Sequence, residues 1–83
     1  MKKITSIIIL SYNTCDLTKA CLDSIRKYTP AGSYEIIVVD NASTDDSAAY
    51  LRGQRDVKLI ANKENKGFPA GCNQGLAVAR GTE

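Results

Sequence analysis

Three short segments rich in β-branched residues predict β-strands. They are residues 5–11 (TSIIILS), 34–40 (YEIIVVD) and 57–61 (VKLIA). The first two contain continuous apolar runs, which are typical of strands covered on both faces of a parallel sheet. The third alternates more between polar and apolar residues, and we expect it at an edge of the sheet.

A segment with helical spacing follows each strand. The first has apolar residues at intervals of three to four, with Thr14 or Asp16 able to cap its start and residues 28–32 as its stop. This spacing predicts a helix of about three turns. The second is predicted to be about two turns long, with capping side chains at residues 43–46 (STDD) and an end at Gly53.

The third helix is predicted to begin at residues 67–69 (GFP), since a proline is tolerated in the first turn, and to end at Gly81. Gly71 and Gly75 fall on one face of this helix, and we interpret them as small residues that allow close packing on the sheet. The alternation of strands and helices predicts an α/β fold, a three-layer Rossmann-like βαβαβα unit with a parallel sheet and strand order 3-2-1.

The length of 83 residues suits one small domain. We predict that residues 1–83 form a single domain with a core near the lower limit of independent stability. The sequence stops where a loop would lead into a fourth strand, and we interpret the chain as the truncated N-terminal portion of a larger domain. Strand order 3-2-1 leaves residues 7–10 (IIIL) at an unpaired edge, through which we expect self-association.

Composition and charge exclude several classes of protein. The 11 Lys and Arg residues stand against 9 Asp and Glu, with no long basic block, so nucleic acid is not an expected partner. Three cysteines without a C-x-x-C spacing and no histidine indicate neither a disulfide framework nor a zinc site. Neither G-x-G-x-x-G nor G-x-x-x-x-G-K-[ST] occurs, which argues against dinucleotide dehydrogenases and P-loop enzymes.

Polar residues gather where each predicted strand ends. They lie at residues 11–13 (SYN), 40–45 (DNASTD) and 62–67 (NKENKG). Because ligands of open parallel sheets bind beyond the carboxyl ends of the strands, we expect the three clusters to converge on one crevice. Tyr12 offers a flat face for a nucleobase, and Asp40 can accept a hydrogen bond from a ring N–H. These are parts of a nucleotide site.

Each cluster also has a purely structural interpretation. Asp40 can simply turn the chain, and Asp45 with Asp46 can cap the second helix, which is the interpretation we favour for that pair. Tyr12 can be an ordinary half-buried aromatic residue, and residues 65–67 (NKG) can be a solvated turn. Position alone supports both interpretations of Asp40 and of Tyr12 about equally, whereas it favours the solvated turn for residues 65–67.

Taken together, the clusters resemble a known family. Residues 7–13 (IIILSYN), 37–45 (IVVDNASTD) and 65–75 (NKGFPAGCNQG) are similar to the start of inverting family 2 glycosyltransferases with the GT-A fold. The resemblance spans nearly the whole chain, and three motifs in the family's order and spacing are much more specific than any one of them. The second and third motifs look most like the branch that contains rhamnosyl- and galactofuranosyltransferases of cell-surface polysaccharides.

The resemblance implies a nucleotide-binding role for one set of residues. These are Ser11, Tyr12, Asn13, Asp40, Asn65, Lys66 and Gly67. Tyr12 would stack on or flank a uracil or thymine, and Asp40 would bind the edge of the base. The residues beside Tyr12 would line the same pocket, and the turn at residues 65–67 would form its far wall.

The resemblance also implies an activity for the full-length protein, the transfer of a sugar from a UDP- or dTDP-sugar to a glycan or lipid-linked acceptor by a single inverting displacement. The family's acidic motif for a divalent metal (Mg or Mn) and its catalytic base match no residue here. We therefore predict no catalytic and no metal-binding residue in this chain, and no activity of the chain alone.

The cysteine pattern indicates reduced thiols, which are typical of the cytoplasm. Any contact with the inner face of the membrane is expected to involve other parts of the protein. The alternatives are a non-catalytic nucleotide-binding module and a self-associating α/β module.

Overall fold

The computed structural model describes residues 4–30 and 32–80. In this part of the chain, strands and helices alternate in the predicted order. The elements are β1 (Thr5–Ser11), α1 (Cys15–Tyr28), β2 (Tyr34–Asn41), α2 (Ser47–Arg52), β3 (Val57–Asn62) and α3 (Gly67–Val78). Helix α1 has 14 residues, about four turns rather than three. Helix α3 ends at Val78, before the predicted stop at Gly81, which lies outside the described residues.

Strand β2 lies between β1 and β3 and runs parallel to both. The register pairs Ser11 with Asp40 and Asp40 with Ala61, so the three strands end at the same edge of the sheet. The predicted order 3-2-1 and the edge position of β3 are confirmed. The apolar run of β2, residues 36–39, is at most 1% exposed, as expected of a strand covered on both faces.

The helices cover the two faces of the sheet and form the predicted three layers. Leu22 of α1 and Leu51 of α2 pack against Ile36 and Val38 in the main core. Because side chains alternate along a strand, Ile37 and Val39 face the opposite side of the sheet, where α3 lies. Within the described ranges, no helix has the length and apolar character needed to cross a membrane.

Helix α3 lies close to β1 because its contact face is made of glycine. Gly71 and Gly75 are the buried residues of this helix. A Cβ atom at Gly75 would lie 2.5 Å from Ile8 Cγ2, and one at Gly71 would overlap Leu10 Cδ2. The interpretation of both glycines as packing residues is confirmed.

One carboxylate serves the amino ends of two helices. Thr14 occupies the N-cap position of α1, but its side chain makes no capping bond there. Instead, the Cys15 N–H donates to Asp45 Oδ2 at 3.2 Å, and the Ser47 N–H at the start of α2 donates to Asp45 Oδ1 at 2.9 Å. The adjacent Ser47 groups hold the pKa of the Asp45 carboxyl below its usual range. The capping role predicted for Asp45 is therefore confirmed. Asp46 and Thr14 occupy the N-cap positions of α2 and α1, but neither side chain makes a capping bond there, and Asp16, the alternative to Thr14, lies in the first turn of α1.

Glu35 connects three elements at the opposite edge of the sheet. Its Oε2 accepts a hydrogen bond from Ser6 Oγ of β1 at 2.6 Å, and its Oε1 accepts one from Lys58 Nζ of β3 at 2.9 Å. The backbone N–H of Arg80, just beyond α3, also donates to Oε2. The hydroxyl of Ser6 first, and then the ammonium of Lys58, lower the pKa of Glu35 from 4.5 to about 2.

This lowered pKa predicts a pH-dependent contribution to stability. A carboxyl whose pKa is lower in the folded state stabilises the fold above its unfolded value, here 4.5, and the contribution is lost as the pH falls toward about 2. In the Glu35→Gln variant, the free energy of unfolding should depend less on pH across this window. Urea unfolding at a series of pH values measures the difference, with the exposed Glu64→Gln as the control. An unchanged pH dependence in Glu35→Gln would contradict the assignment.

The close contact at Gly75 predicts a second effect on stability. Overpacking of a core typically costs about 1–3 kcal/mol, and the better helix propensity of alanine returns up to about 1 kcal/mol. We expect Gly75→Ala to lower the free energy of unfolding by about 1–2 kcal/mol, because the branched side chain of Ile8 cannot easily move away. Gly53→Ala is the matched control, since its Cβ would meet only Tyr50 O at 3.5 Å. Equal stability of the two variants in urea titrations would refute the packing argument.

Candidate functional site

A groove of about 250 Å³ lies at the carboxyl end of the sheet, beside the start of α3. It is lined by Leu10, Ser11, Tyr12, Asn41, Asn65, Gly67 and Phe68. Tyr12 and Phe68 are 50% and 71% exposed, respectively. Aromatic faces next to amide groups can hold a flat, polar heterocycle by stacking and hydrogen bonding.

Some of the predicted site residues come together in this groove and others do not. Those that line it are Ser11, Tyr12, Asn65 and Gly67. Those outside its lining are Asn13, Asp40 and Lys66. The alternation of side chains along the strands contributes to this division, because consecutive residues of a strand face opposite sides of the sheet.

Ser11 reaches the groove, but its hydroxyl is engaged on the α1 side of the sheet. The residue is 1% exposed. Its Oγ lies 3.3 Å from Thr18 Oγ1 and 3.4 Å from Thr14 Oγ1. This buried group of hydroxyls stabilises the junction between β1 and α1, so the side chain of Ser11 contributes to the structure.

Asp40 is buried behind the groove and is held by Ser43. The residue is 2% exposed. Ser43 Oγ donates to Asp40 Oδ1 at 2.5 Å, and the Ser43 N–H donates to Oδ2 at 3.2 Å. A buried carboxylate needs such donors to offset its desolvation. The structural role considered for Asp40 is therefore present, and its contact with a base edge stays a prediction.

The turn at residues 65–67 is closed by its own side chain. Asn65 Oδ1 accepts a hydrogen bond from the Gly67 N–H at 2.8 Å, and Gly67 has a φ of +83°, in the left-handed region that favours glycine. Lys66 is exposed, with its Nζ 4.0 Å from Glu64 Oε1. The turn thus places Asn65 and Gly67 at the groove, whereas the ammonium of Lys66 is oriented toward Glu64.

Asn41 lines the groove although the sequence prediction omitted it as a site residue. Its Oδ1 accepts a hydrogen bond from Asn62 Nδ2 at 2.8 Å, and its Nδ2 lies 3.5 Å from the Gly67 carbonyl oxygen. Asn62 and Gln74 exchange two further hydrogen bonds, each of 2.8 Å. These amides join the carboxyl ends of β2 and β3 to α3 and fix the floor of the groove. Alternation along β2 is the local signal that would have found Asn41, since it faces the side opposite to Asp40.

Asn13 lies in a separate depression of about 410 Å³ at the start of α1. Asp45 and Asp46 line the same depression. Asn13 is exposed and adopts a φ of +52°, a left-handed conformation that asparagine tolerates better than most residues. Its hydrogen bonds are to the loop after β2, so the structure separates it from the groove that contains Tyr12.

Comparison with known proteins now identifies the family. The sequence model of "Glycosyl transferase family 2" matches residues 6–82. The chain belongs to glycosyl transferase family 2. The chain is 40% identical over 82 residues to the poly(ribitol-phosphate) beta-glucosyltransferase of Bacillus spizizenii, a match that covers 92% of this chain and 13% of that protein. It is 35% identical over 86 residues to glycosyltransferase GlyG of Streptococcus pneumoniae serotype 4, covering 98% of this chain and 28% of that protein.

A solved structure supports the same family 2 assignment. The mannosyltransferase PcManGT from Pyrobaculum calidifontis, in complex with GDP-Man and Mn²⁺, matches with a TM-score of 0.85 and 28% sequence identity. The match covers 98% of this chain and 26% of that one. The predicted family and fold class are confirmed, and the chain spans less than a third of the length of each of these three proteins.

The described part of this family 2 chain does not fit a divalent metal site. Within residues 4–30 and 32–80, no three His, Cys, Asp or Glu side chains are grouped so that they could hold an ion. Asp45, in the depression next to α1, already accepts two backbone hydrogen bonds. We therefore assign no metal ligand among the described residues.

Proposed function

We propose that the protein containing this chain is a nucleotide-sugar-dependent glycosyltransferase and that this chain binds the nucleotide of the donor. The observation that carries the proposal is the groove at the carboxyl end of the sheet, where the exposed ring of Tyr12 lies beside the amides of Asn41 and Asn65. Membership of family 2 supports sugar transfer as the reaction. On this proposal the chain alone is inactive, because it supplies binding and no catalytic group.

The donor that we propose is a UDP- or dTDP-sugar, as the sequence motifs imply. GDP is the competing nucleotide, because the mannosyltransferase of similar structure is in complex with GDP-Man. The acceptor that we propose is a glycan or lipid-linked molecule, and one relative is a poly(ribitol-phosphate) beta-glucosyltransferase. The rhamnosyl- or galactofuranosyltransferase branch and a cytoplasmic location stay predictions.

In the proposed reaction, this chain binds the nucleotide, and the remainder of the protein supplies the catalytic groups. An acceptor hydroxyl attacks the anomeric carbon of the sugar, the bond from that carbon to the diphosphate oxygen breaks, and the hydroxyl proton passes to a carboxylate outside this chain. Attack from the face opposite the leaving group inverts the anomeric configuration. The residues of this chain bind and orient the nucleoside part of the leaving group. A divalent metal at the diphosphate would be held by residues outside this chain.

Removal of the Tyr12 ring tests the proposed groove. Stacking of a base on an aromatic side chain is worth about 1–3 kcal/mol, so Tyr12→Ala should weaken nucleotide binding by that amount. Tyr12→Phe should bind normally, because it retains the ring. Tyr28→Ala is the control, since Tyr28 is an exposed tyrosine at the far end of α1.

The measurement is calorimetric titration of the full-length protein with UDP, dTDP and GDP, each with and without manganese. We expect the strongest binding with UDP or dTDP. Stronger binding of GDP would contradict the proposed donor, and failure of all three nucleotides to bind would refute the proposed function. Equal affinities of Tyr12→Ala and the unmodified protein would remove Tyr12 from the site.

We also propose that copies of this 83-residue chain associate through the open edge of β1, which pairs with β2 alone within the described sheet. Leu76 is an exposed apolar residue of α3, the helix that packs over β1, and on this proposal it extends the associating surface. We expect Leu76→Lys to lower the mass measured by light scattering. Leu17→Lys is the matched control, because Leu17 is similarly exposed on α1, at the other face of the sheet. A monomeric unmodified chain would contradict the proposal.

A further inference from the structure

Asn13 joins the loop after β1 to the loop after β2. Its Oδ1 accepts hydrogen bonds from Thr44 N at 2.7 Å, Thr44 Oγ1 at 3.2 Å and Asp45 N at 3.3 Å. Its own backbone N–H donates to Ser43 Oγ at 2.9 Å. These bonds connect residues 30 to 32 positions apart in the sequence. The side chain therefore forms a tertiary link rather than a local turn.

Both ends of this link lead to the candidate site. Tyr12, whose ring lines the groove, immediately precedes Asn13. Ser43, which accepts from the Asn13 N–H, donates in turn to both carboxylate oxygens of the buried Asp40. The backbone that carries Tyr12 is thus attached, through Asn13, to a loop anchored at the end of the central strand.

We propose that Asn13 is a positioning residue that holds Tyr12 in place at the groove without contacting the nucleotide. This inference rests on the proposed function, because it assigns Asn13 a part in the same nucleotide binding. Stacking requires a ring held at a defined distance and tilt. If Tyr12 lay on a mobile loop, ordering that loop on binding would cost conformational entropy. This cost would offset part of the free energy gained by stacking and so lower the affinity.

The backbone conformation of Asn13 permits a clean set of variants. Asparagine, aspartate and glycine adopt its φ of +52° more readily than other residues do. Asn13→Gly therefore removes the acceptor oxygen without straining the backbone, whereas Asn13→Asp retains an acceptor. Ala42, with a φ of +64°, provides the matched control. Ala42→Gly introduces glycine at another left-handed position in the neighbouring loop and removes no side-chain hydrogen bond.

The experiment combines two measurements on the full-length protein, the affinity for UDP by calorimetry and the exchange rates of the Thr44 and Asp45 amide hydrogens. For Asn13→Gly we expect about tenfold weaker UDP binding and faster exchange of both amides, since exchange reports local opening. Compared with the unmodified protein at about 1 M salt, where the Debye length of about 3 Å weakens repulsion from the nearby carboxylates, Asn13→Asp should keep both properties nearly unchanged. Ala42→Gly should leave both unchanged.

A double-mutant cycle with Tyr12→Ala separates positioning from direct contact. If Asn13 acts through Tyr12, then Asn13→Gly should cost little further affinity once the ring is absent. Additive losses would indicate an independent contact and overturn the inference. If the unmodified protein binds UDP and Asn13→Gly binds it with the same affinity, the positioning role of Asn13 is overturned and the proposed function is not. Absence of UDP binding by the unmodified protein would overturn the proposed UDP site and this inference together.

Discussion

The burial of β2 on both faces determines where this chain can present polar groups. Residues 36–39 are almost fully enclosed, and burial of each such side chain contributes about 1.5–3 kcal/mol to folding. A polar side chain within this run would lose that contribution and would also need a buried partner. Polar residues therefore begin at Asp40, where the parallel register brings the ends of β1 and β3 alongside. The position of the candidate groove follows from this constraint.

Alternation of side chains then divides the carboxyl edge into two sides. Tyr12 and Asn41 lie on the α3 side and line the groove, whereas the side chains of Ser11 and Asp40 belong to the α1 side. Asp40 can be buried there because Ser43 supplies two donors to its carboxylate. One side thus carries the candidate groove, and the other holds the loops next to it.

The strands and helices could be predicted because β-branched runs, helical spacing and turn residues are local signals, and the sheet order followed from the alternation of strands and helices with right-handed crossovers. The packing of Gly71 and Gly75 could also be predicted, since a spacing of four residues places both on one helix face. Three motifs in order were enough to indicate the family. The separation of Asn13 from the groove could not be predicted in this way, because the partners of Asn13 lie in another loop some 30 residues along the chain. The burial of Asp40 likewise depends on tertiary packing.

The two walls of the groove are held by different kinds of contact. The wall from α3 is fixed by the close approach of Gly71 to β1, by the buried amide of Asn41 and by the half-buried amide of Gln74. The wall that carries Tyr12 depends on the hydrogen bonds of Asn13, which lie at the surface. Exposed hydrogen bonds open more readily than buried ones, because water competes for the donors and acceptors. On the proposed function, adjustment of the groove to a nucleotide would therefore be concentrated at the Tyr12 wall, and the link through Asn13 would limit its extent.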